Sequence, residues 1–298
     1  MRATGLLLAL VPLVACGGGA ASTPDPVTPG ASGPTFAIEL DGDVPVGTRW
    51  RETVRLSSRS EQQLVVQGQP QGAVESFAGE LVATVRLVRT TPDGLQAELE
   101  YTIESLTITE GPQSELAPGT VVQVVRGDAQ PIRIDGEPVE APLAELLGKL
   151  LSDGPDRDED AVFGTDEAQP VGGTWPIDRA RAVQELGRGG LEMDPERVSG
   201  EVTLLERVEA PVEALRLRAS FHAEGFAMAG LPPGATIQQA TVDASMTSLW
   251  PQQGLRLERE EESTTEMHVE LLIETQQEGS GTLTIDMRQE RSLTREPL

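Results

Sequence analysis

The stretch that decides the fold is LVATVRLVRTTPDGLQAELEYTIE, residues 81–104. Apolar residues occupy every second position on both sides of the turn signal at 90–94 (TTPDG), and after the turn they alternate with Glu98, Glu100, Thr102 and Glu104. The apolar positions are Leu81, Ala83, Val85 and Leu87, then Leu95, Ala97, Leu99, Tyr101 and Ile103. Alternation with period two predicts two antiparallel strands that share one apolar and one solvated face.

The same alternation recurs along the rest of the chain. It is found at Val202 to Val208 and then at Leu215, Leu217, Ala219 and Phe221; at Val242, Ala244 and Met246; at Leu255 and Leu257; at Met267, Val269, Leu271 and Ile273; and at Leu283, Ile285 and Met287. Many strands with one polar face are typical of antiparallel sheet. We therefore predict a mainly β protein, built as a curved antiparallel sheet or an open barrel.

Two segments depart from this pattern and predict one or two short helices packed on the sheet. Pro142 suits a first helical turn, the sequence Asp153-Gly154-Pro155 suits an end, and five leucines between them follow helical spacing. These leucines are Leu143, Leu146, Leu147, Leu150 and Leu151. A second helix is predicted from Asp178, as its N-cap, to Leu186, with Gly187 ending it.

Two short motifs suggest an internal duplication. The sequence PVGTRW at 45–50 returns as PVGGTW at 170–175, and Gly79-Glu80-Leu81 is matched by Gly200-Glu201-Val202. The offsets, from 50 to 175 and from 79 to 200, are nearly equal. They predict a first β-rich half at 35–152, an acidic linker at 153–169 and a second β-rich half at 170–298. Chance similarity between short Gly, Val and Trp motifs is the alternative.

Composition excludes several classes of function. The chain has 48 acidic and 23 basic residues, for a net charge of −25. Such a surface repels nucleic acid, and only nine aromatic side chains (one Tyr, three Trp, five Phe) are present to stack on bases. Lys149 is the only lysine. We expect no nucleic-acid partner, no cofactor and a monomer, with Trp50, Trp175 and Trp250 serving as core anchors.

The single cysteine, Cys16, follows a short apolar stretch, Leu6 to Val14, that Pro12 interrupts. Nine residues are too few for a membrane span, which needs about 20, and are typical of the apolar region of a cleaved signal peptide. Residues 17–34 (GGGAASTPDPVTPGASGP) form no core and suit a flexible tether. A buried free thiol is the alternative for Cys16.

The residues Leu13-Val14-Ala15-Cys16 resemble the lipobox of bacterial lipoproteins. That resemblance implies cleavage after Ala15, a diacylglycerol thioether on Cys16 and a further acyl chain such as palmitate on the freed amine. It thus implies a lipid-anchored protein of the bacterial cell envelope. Residue 17 is Gly and not Asp, which in some lipoprotein families is the inner-membrane retention signal, so the outer membrane is favoured.

The sequence offers few candidate metal-binding or catalytic residues. Asp156, Asp158, Asp160 and Glu167 occupy positions 1, 3, 5 and 12 of a loop that resembles a calcium-binding EF-hand, although Ala161 stands where the turn requires Gly. A solvated acidic linker is the alternative. The two histidines, His222 and His268, fall on polar strand faces and have no zinc or nucleophile motif around them. We therefore expect no catalytic residues and no enzyme.

Two functions remain open from the sequence. The first is a non-catalytic binding lipoprotein, in which a curved sheet and a helix enclose an apolar site for a hydrophobic or lipid ligand. Its predicted shape resembles that of periplasmic lipoprotein-carrier proteins, although no sequence motif matches theirs. The second is a cell-envelope scaffold or protein-interaction module that has no small-molecule ligand.

Overall fold

The computed structural model describes residues 34–40, 44–90, 96–125, 131–151, 159–188, 190–209, 212–228, 231, 234–253, 255, 257–275 and 279–298. Strands dominate these residues, as the alternation predicts. Cys16 and the tether lie outside them, as do Asp156 and Asp158. No described helix combines the length and the hydropathy that a membrane span needs.

The strands of the first half are long in the centre and short at the edge. They are β1 (Thr35–Ile38), β2 (Arg49–Val66), β3 (Gln69–Thr90), β4 (Gln96–Glu110), β5 (Val121–Val125), β6 (Ile132–Ile134) and β7 (Glu137–Pro138). Those that follow are β8 (Thr165–Pro170), β9 (Thr174–Pro176), β10 (Leu191–Glu192), β11 (Val198–Val208), β12 (Ala214–Glu224), β13 (Ala227–Met228), β14 (Ala235–Pro251), β15 (Glu260–Thr275) and β16 (Gly279–Pro297).

The first predicted helix is confirmed as α1 (Ala141–Leu150). Pro142 lies in its first turn, and the Leu151 N–H donates to the Leu147 carbonyl at 2.7 Å at its end. Leu147 and Leu150 are fully buried against the sheet. The leucine stripe therefore covers part of the sheet, because helical spacing places these side chains on one face.

The second predicted helix is found as α3 (Arg179–Arg188). Asp178 caps it, because its carboxylate accepts the Arg181 N–H at 3.0 Å. The helix runs through Gly187 instead of ending before it, so the predicted end is wrong by two residues. Two further elements, the short α2 (Glu159–Phe163) and β8, occupy part of the predicted acidic linker. A single 3-10 turn, Pro195–Arg197, precedes β11.

Twelve strands form one open antiparallel sheet in the order β7-β6-β5-β4-β3-β2-β16-β15-β14-β12-β11-β9. The strands from the two halves meet where β2 pairs with β16, from Trp50 opposite Pro297 to Val66 opposite Gly281. The short strands β7 and β9 form the two edges, so the sheet does not close into a barrel. Two small two-stranded sheets, β1 with β8 and β10 with β13, lie outside it.

The sheet carries two buried apolar cores on one face, here called the apolar face. The first core joins Trp50, Val85 and Tyr101 to the leucines of α1. The second joins Val202, Leu217 and Val269 to residues of α2 and α3. All three tryptophans are buried, which confirms their prediction as core anchors. The opposite face, here called the polar face, carries the alternate side chains of the same strands.

One predicted alternation does not form a strand. Leu255 and Leu257 lie in the irregular segment before β15, which begins at Glu260. Both side chains pack against the first core, and Leu257 is buried. Their spacing by two therefore reflects burial of a connecting segment and not a strand with alternating faces.

The two PVG motifs form equivalent turns. Gly47 N–H donates to Leu87 O at 2.8 Å, and Gly172 N–H donates to Leu204 O at 2.7 Å. Both glycines have positive φ, +90° and +83°. Trp50 then pairs with Val85, as Trp175 pairs with Val202. The second motif match, between Gly79 and Gly200, is not equivalent in register. Gly79 precedes Val85, the residue opposite Trp50, by six residues, whereas Gly200 precedes Val202, the residue opposite Trp175, by two.

Candidate functional site

The polar face is covered by ion pairs between neighbouring strands. Arg55 pairs with Glu80, Arg86 with Glu100 at 3.0 Å, and Arg288 with Glu266 at 2.6 Å. The hydrogen bond to Glu290 and the charge of Glu266 raise the pKa of Arg288 above its ordinary value. These side chains are largely exposed, so water screens each pair and its contribution to stability is small.

Both histidines lie on this face, as their place in the alternation predicts. His222 Nδ1 lies 2.8 Å from Asp243 Oδ1, and His268 Nδ1 lies 2.7 Å from Asp286 Oδ1. A hydroxyl residue stands opposite each histidine on the next strand, Ser199 in the first case and Thr241 in the second.

Neither histidine is arranged as a general base for a nucleophile. The Ser199 and Thr241 hydroxyls make no hydrogen bond to the histidine opposite, although all four residues belong to the described part of the chain. A catalytic serine or threonine needs that bond to be activated. Ser199, His222 and Asp243 therefore stand in the order of a triad, as do Thr241, His268 and Asp286, but in both rows only the histidine–aspartate contact is formed.

Two grooves lie on the polar face. The larger, about 630 Å³, draws its lining from β4, β3, β2, β16, β15 and β14 and includes Arg55, Glu80 and Glu262. The outermost of these strands are five spacings apart, about 24 Å in a flat sheet, so a shared groove means that the sheet is curved here. The smaller groove, about 400 Å³, contains His268, Asp286 and Arg288.

On the apolar face, the two cores are separated by a strip that we call the seam. It consists of Ser58, Ser60, Gln62 and Leu64 on β2, Met287, Gln289 and Arg291 on β16, and Ser263 and Thr265 on β15. The side chains from Ser58 to Leu64 are half-buried, whereas the core residues on either side of the seam are fully buried. Met287 and Gln289 are half-buried too, whereas Arg291, Ser263 and Thr265 are buried. The partly accessible part of the seam therefore runs along β2, Met287 and Gln289.

One end of the seam meets a buried ionic cluster. Arg295 Nε donates to Glu52 Oε2 at 2.9 Å, and Arg295 Nη1 donates to Glu258 Oε2 at 3.3 Å. Trp50 Nε1 also donates to Glu52 Oε2, at 3.2 Å. Burial alone lowers the pKa of Arg295, but the charges of Glu52 and Glu258 outweigh burial and raise it. Arg295 therefore stays charged between two carboxylates.

Arg291, within the seam, is held much less completely. Only 6% of its side chain is exposed, and its closest carboxylate oxygen, Glu261 Oε1, lies 3.9 Å from Nη1. Its Nε and Nη2 atoms are buried and have no hydrogen-bond partner. Glu261 itself accepts a hydrogen bond from the Ser263 hydroxyl at 3.0 Å. Its position continues the apolar alternation of Leu283, Ile285 and Met287, which distinguishes Arg291 from the arginines of the polar face.

Most of the predicted calcium loop lies outside the described residues. Asp156 and Asp158 are not described, and Asp160 is described only as a backbone position of α2. Glu167 is exposed on β8, where its N–H donates to the Thr165 hydroxyl at 3.2 Å. Across the described ranges, no group of three or more His, Cys, Asp or Glu side chains is placed to hold a metal ion. The calcium loop stays a prediction.

Comparison with known proteins gives little guidance. No protein-family model matches the chain, and no curated protein matches it. Among solved structures, the crystal structure of MucB in complex with MucA(peri) aligns with 78% of this chain and 88% of that one, at 11% sequence identity and a TM-score of 0.17. A TM-score this low supports no conclusion about this chain.

Proposed function

We propose that this chain is a lipid-anchored lipoprotein of the bacterial cell envelope whose β-rich body binds a hydrophobic or lipid ligand without catalysis. The anchor is proposed from the lipobox-like residues Leu13 to Cys16. The ligand is proposed from the seam, where half-buried side chains separate two closed cores. An outer-membrane position follows from Gly17 and belongs to the same proposal.

The seam offers an elongated ligand two apolar side chains at one end and polar side chains along the rest. Leu64 and Met287 lie towards one end and pack against the second core, beside the buried Leu283. Small side chains, Ser58 and Ser60, occupy the middle of β2 and are half-buried. Ligand sites are lined mostly by apolar side chains with a few placed polar groups, so in this proposal the apolar contacts come from Leu64, Met287 and the adjoining second core.

Native mass spectrometry of the lipidated protein, purified from membranes, tests this function. We expect a co-purifying lipid in addition to the anchor. Met287→Glu places a charge in the seam and should abolish the co-purified mass. Arg288→Gln changes the next residue on the same strand, which points to the polar face, and should retain it. A wild-type protein with the anchor mass alone would refute ligand binding.

A second candidate function is supported by the polar face. Its grooves are open and lined by Arg, Glu, Ser and Thr side chains, which suits contact with another protein better than burial of a lipid. Under this alternative the body is an envelope scaffold or protein-interaction module. The same native spectra discriminate the two, because a protein partner without extra lipid would favour the scaffold.

A further inference from the structure

Arg291 is a buried cation with unused hydrogen-bond donors. Its neighbours across the strands are Leu56 on β2 and Ser263 on β15, and its guanidinium lies on the apolar face. Arg295, four residues further along β16, bonds two carboxylates in similar burial. Arg291 makes no hydrogen bond, and Glu261 at 3.9 Å is beyond hydrogen-bond distance.

An arrangement of this kind is unfavourable unless something else supplies the acceptors. Buried donors in folded proteins are almost always paired with protein, water or a ligand, and a buried charge raises the penalty for leaving them unpaired. Two free N–H groups side by side on a planar guanidinium match the two oxygens of a carboxylate or phosphate. The geometry therefore favours an oxyanion as the missing partner.

We propose that Arg291 binds the anionic head group of an amphipathic ligand whose apolar tail lies along the seam towards Leu64 and Leu283. This inference rests on the proposed function and names its ligand class. Leu283 lies eight residues from Arg291 on the same strand, about 26 Å at the rise of a β-strand. That length accommodates an extended acyl chain with its head at Arg291.

A second cation lies beside this part of the seam. The Lys149 ammonium of α1 is 5.3 Å from the centre of the Phe77 ring, and Phe77 is the cross-strand neighbour of Ser58. The only lysine of the chain thus lies over β3, two strands from β16, which carries Arg291. The two cations would attract an anionic head group locally, against the net charge of −25.

Isothermal titration calorimetry of the full chain carrying Cys16→Ser tests the inference. The substitution removes the proposed lipid attachment, so the protein can be measured without detergent. The probes are dodecanoate, dodecyl phosphate and the neutral dodecanol. The Cys16→Ser chain, whose seam is unchanged, should bind at least one of the anionic probes about tenfold or more tightly than dodecanol. A charge-assisted hydrogen bond contributes enough free energy for a ratio of that size. The tighter of dodecanoate and dodecyl phosphate identifies the head group.

Variants assign the preference to Arg291. Arg291→Gln should bind all three probes with equal affinity, while Arg291→Lys, which keeps the charge, should retain part of the preference. Arg288→Gln, on the polar face, should retain all of it. A preference that survives Arg291→Gln, or equal binding of the three probes by the parent chain, overturns the inference and leaves the proposed function standing. Failure of the parent chain to bind any probe refutes both.

Discussion

Glu52 and Arg295 form an ion pair that is buried between the two cores. Removing one charge leaves the other without full compensation, so Glu52→Gln should lower the free energy of unfolding by about 3–5 kcal/mol. Glu104→Gln, at the exposed pair with Arg51, serves as the control and should leave the free energy of unfolding nearly unchanged, because water screens that pair. Urea denaturation measures both. If Glu52→Gln and Glu104→Gln lowered the free energy of unfolding equally little, the Glu52–Arg295 pair would be effectively solvated.

Cys16 is the residue on which the proposed anchor depends. Cys16→Ser should abolish incorporation of labelled palmitate and move the protein from the membrane to the soluble fraction, because two or three acyl chains are what hold such a body to a bilayer. Ala21→Ser, within the tether, is the control and should be labelled like the wild type. Persistent labelling of Cys16→Ser would place the lipid elsewhere or refute lipidation.

Single residues could be predicted from the sequence where their role is local. The two histidines were placed on the polar face because alternation along one strand decides the direction of a side chain. Glu52 and Arg295 are separated by 243 residues and meet only because β2 pairs with β16. No sequence motif predicts such a pair. The same reason hides Arg291, whose isolation depends on neighbours from two other strands.

At the scale of elements, the two PVG turns should respond alike to substitution. A Cβ added at Gly47 or Gly172 meets no atom within 4 Å, so the positive φ is the only source of strain. Gly47→Ala and Gly172→Ala should each lower stability by about 1–2 kcal/mol. Thermal or urea unfolding measures the change.

A third glycine provides the matched control for those turns. Gly148 lies inside α1, has ordinary helical φ, and also has open space at its Cβ position. Gly148→Ala should raise stability by about 0.5–1 kcal/mol, because alanine loses less backbone entropy in a helix. If only one of Gly47→Ala and Gly172→Ala lowered stability, the two turns would have the same hydrogen bonds but would differ in their contribution to stability.

Strands with a regular apolar face were predictable, and β2 was not. From Ser57 to Gln63 both faces of β2 carry polar side chains, so the segment has no period-two hydrophobic signal. It still forms a strand because β3 and β16 pair with it on both sides. The absence of apolar residues that hides β2 from prediction also produces the seam. The candidate site therefore lies where sequence patterns are weakest.

At the scale of the molecule, the repeated turns and the sheet order suggest two similar halves, yet the sheet joins them. Each half supplies six strands to one continuous sheet and most of the residues of one apolar core, although Leu257 joins the first core and Ile38 joins the second. The junction is made by two of the longest strands, paired along almost their whole length. Duplication stays a prediction, but two independent domains are not what the pairing shows.

The junction between β2 and β16 predicts cooperative unfolding. Leu147→Ala removes a fully buried side chain from the first core and should lower stability by about 2–5 kcal/mol. Because the ladder from Trp50 to Val66 ties both cores to one sheet, the variant should still unfold in a single transition. Tryptophan fluorescence reports on both cores, through Trp50 in the first and Trp175 and Trp250 in the second. The urea unfolding transition that it follows should coincide with the transition followed by far-UV circular dichroism. A first transition that shifts alone in Leu147→Ala would show that each core unfolds independently and that the β2–β16 pairing does not couple them.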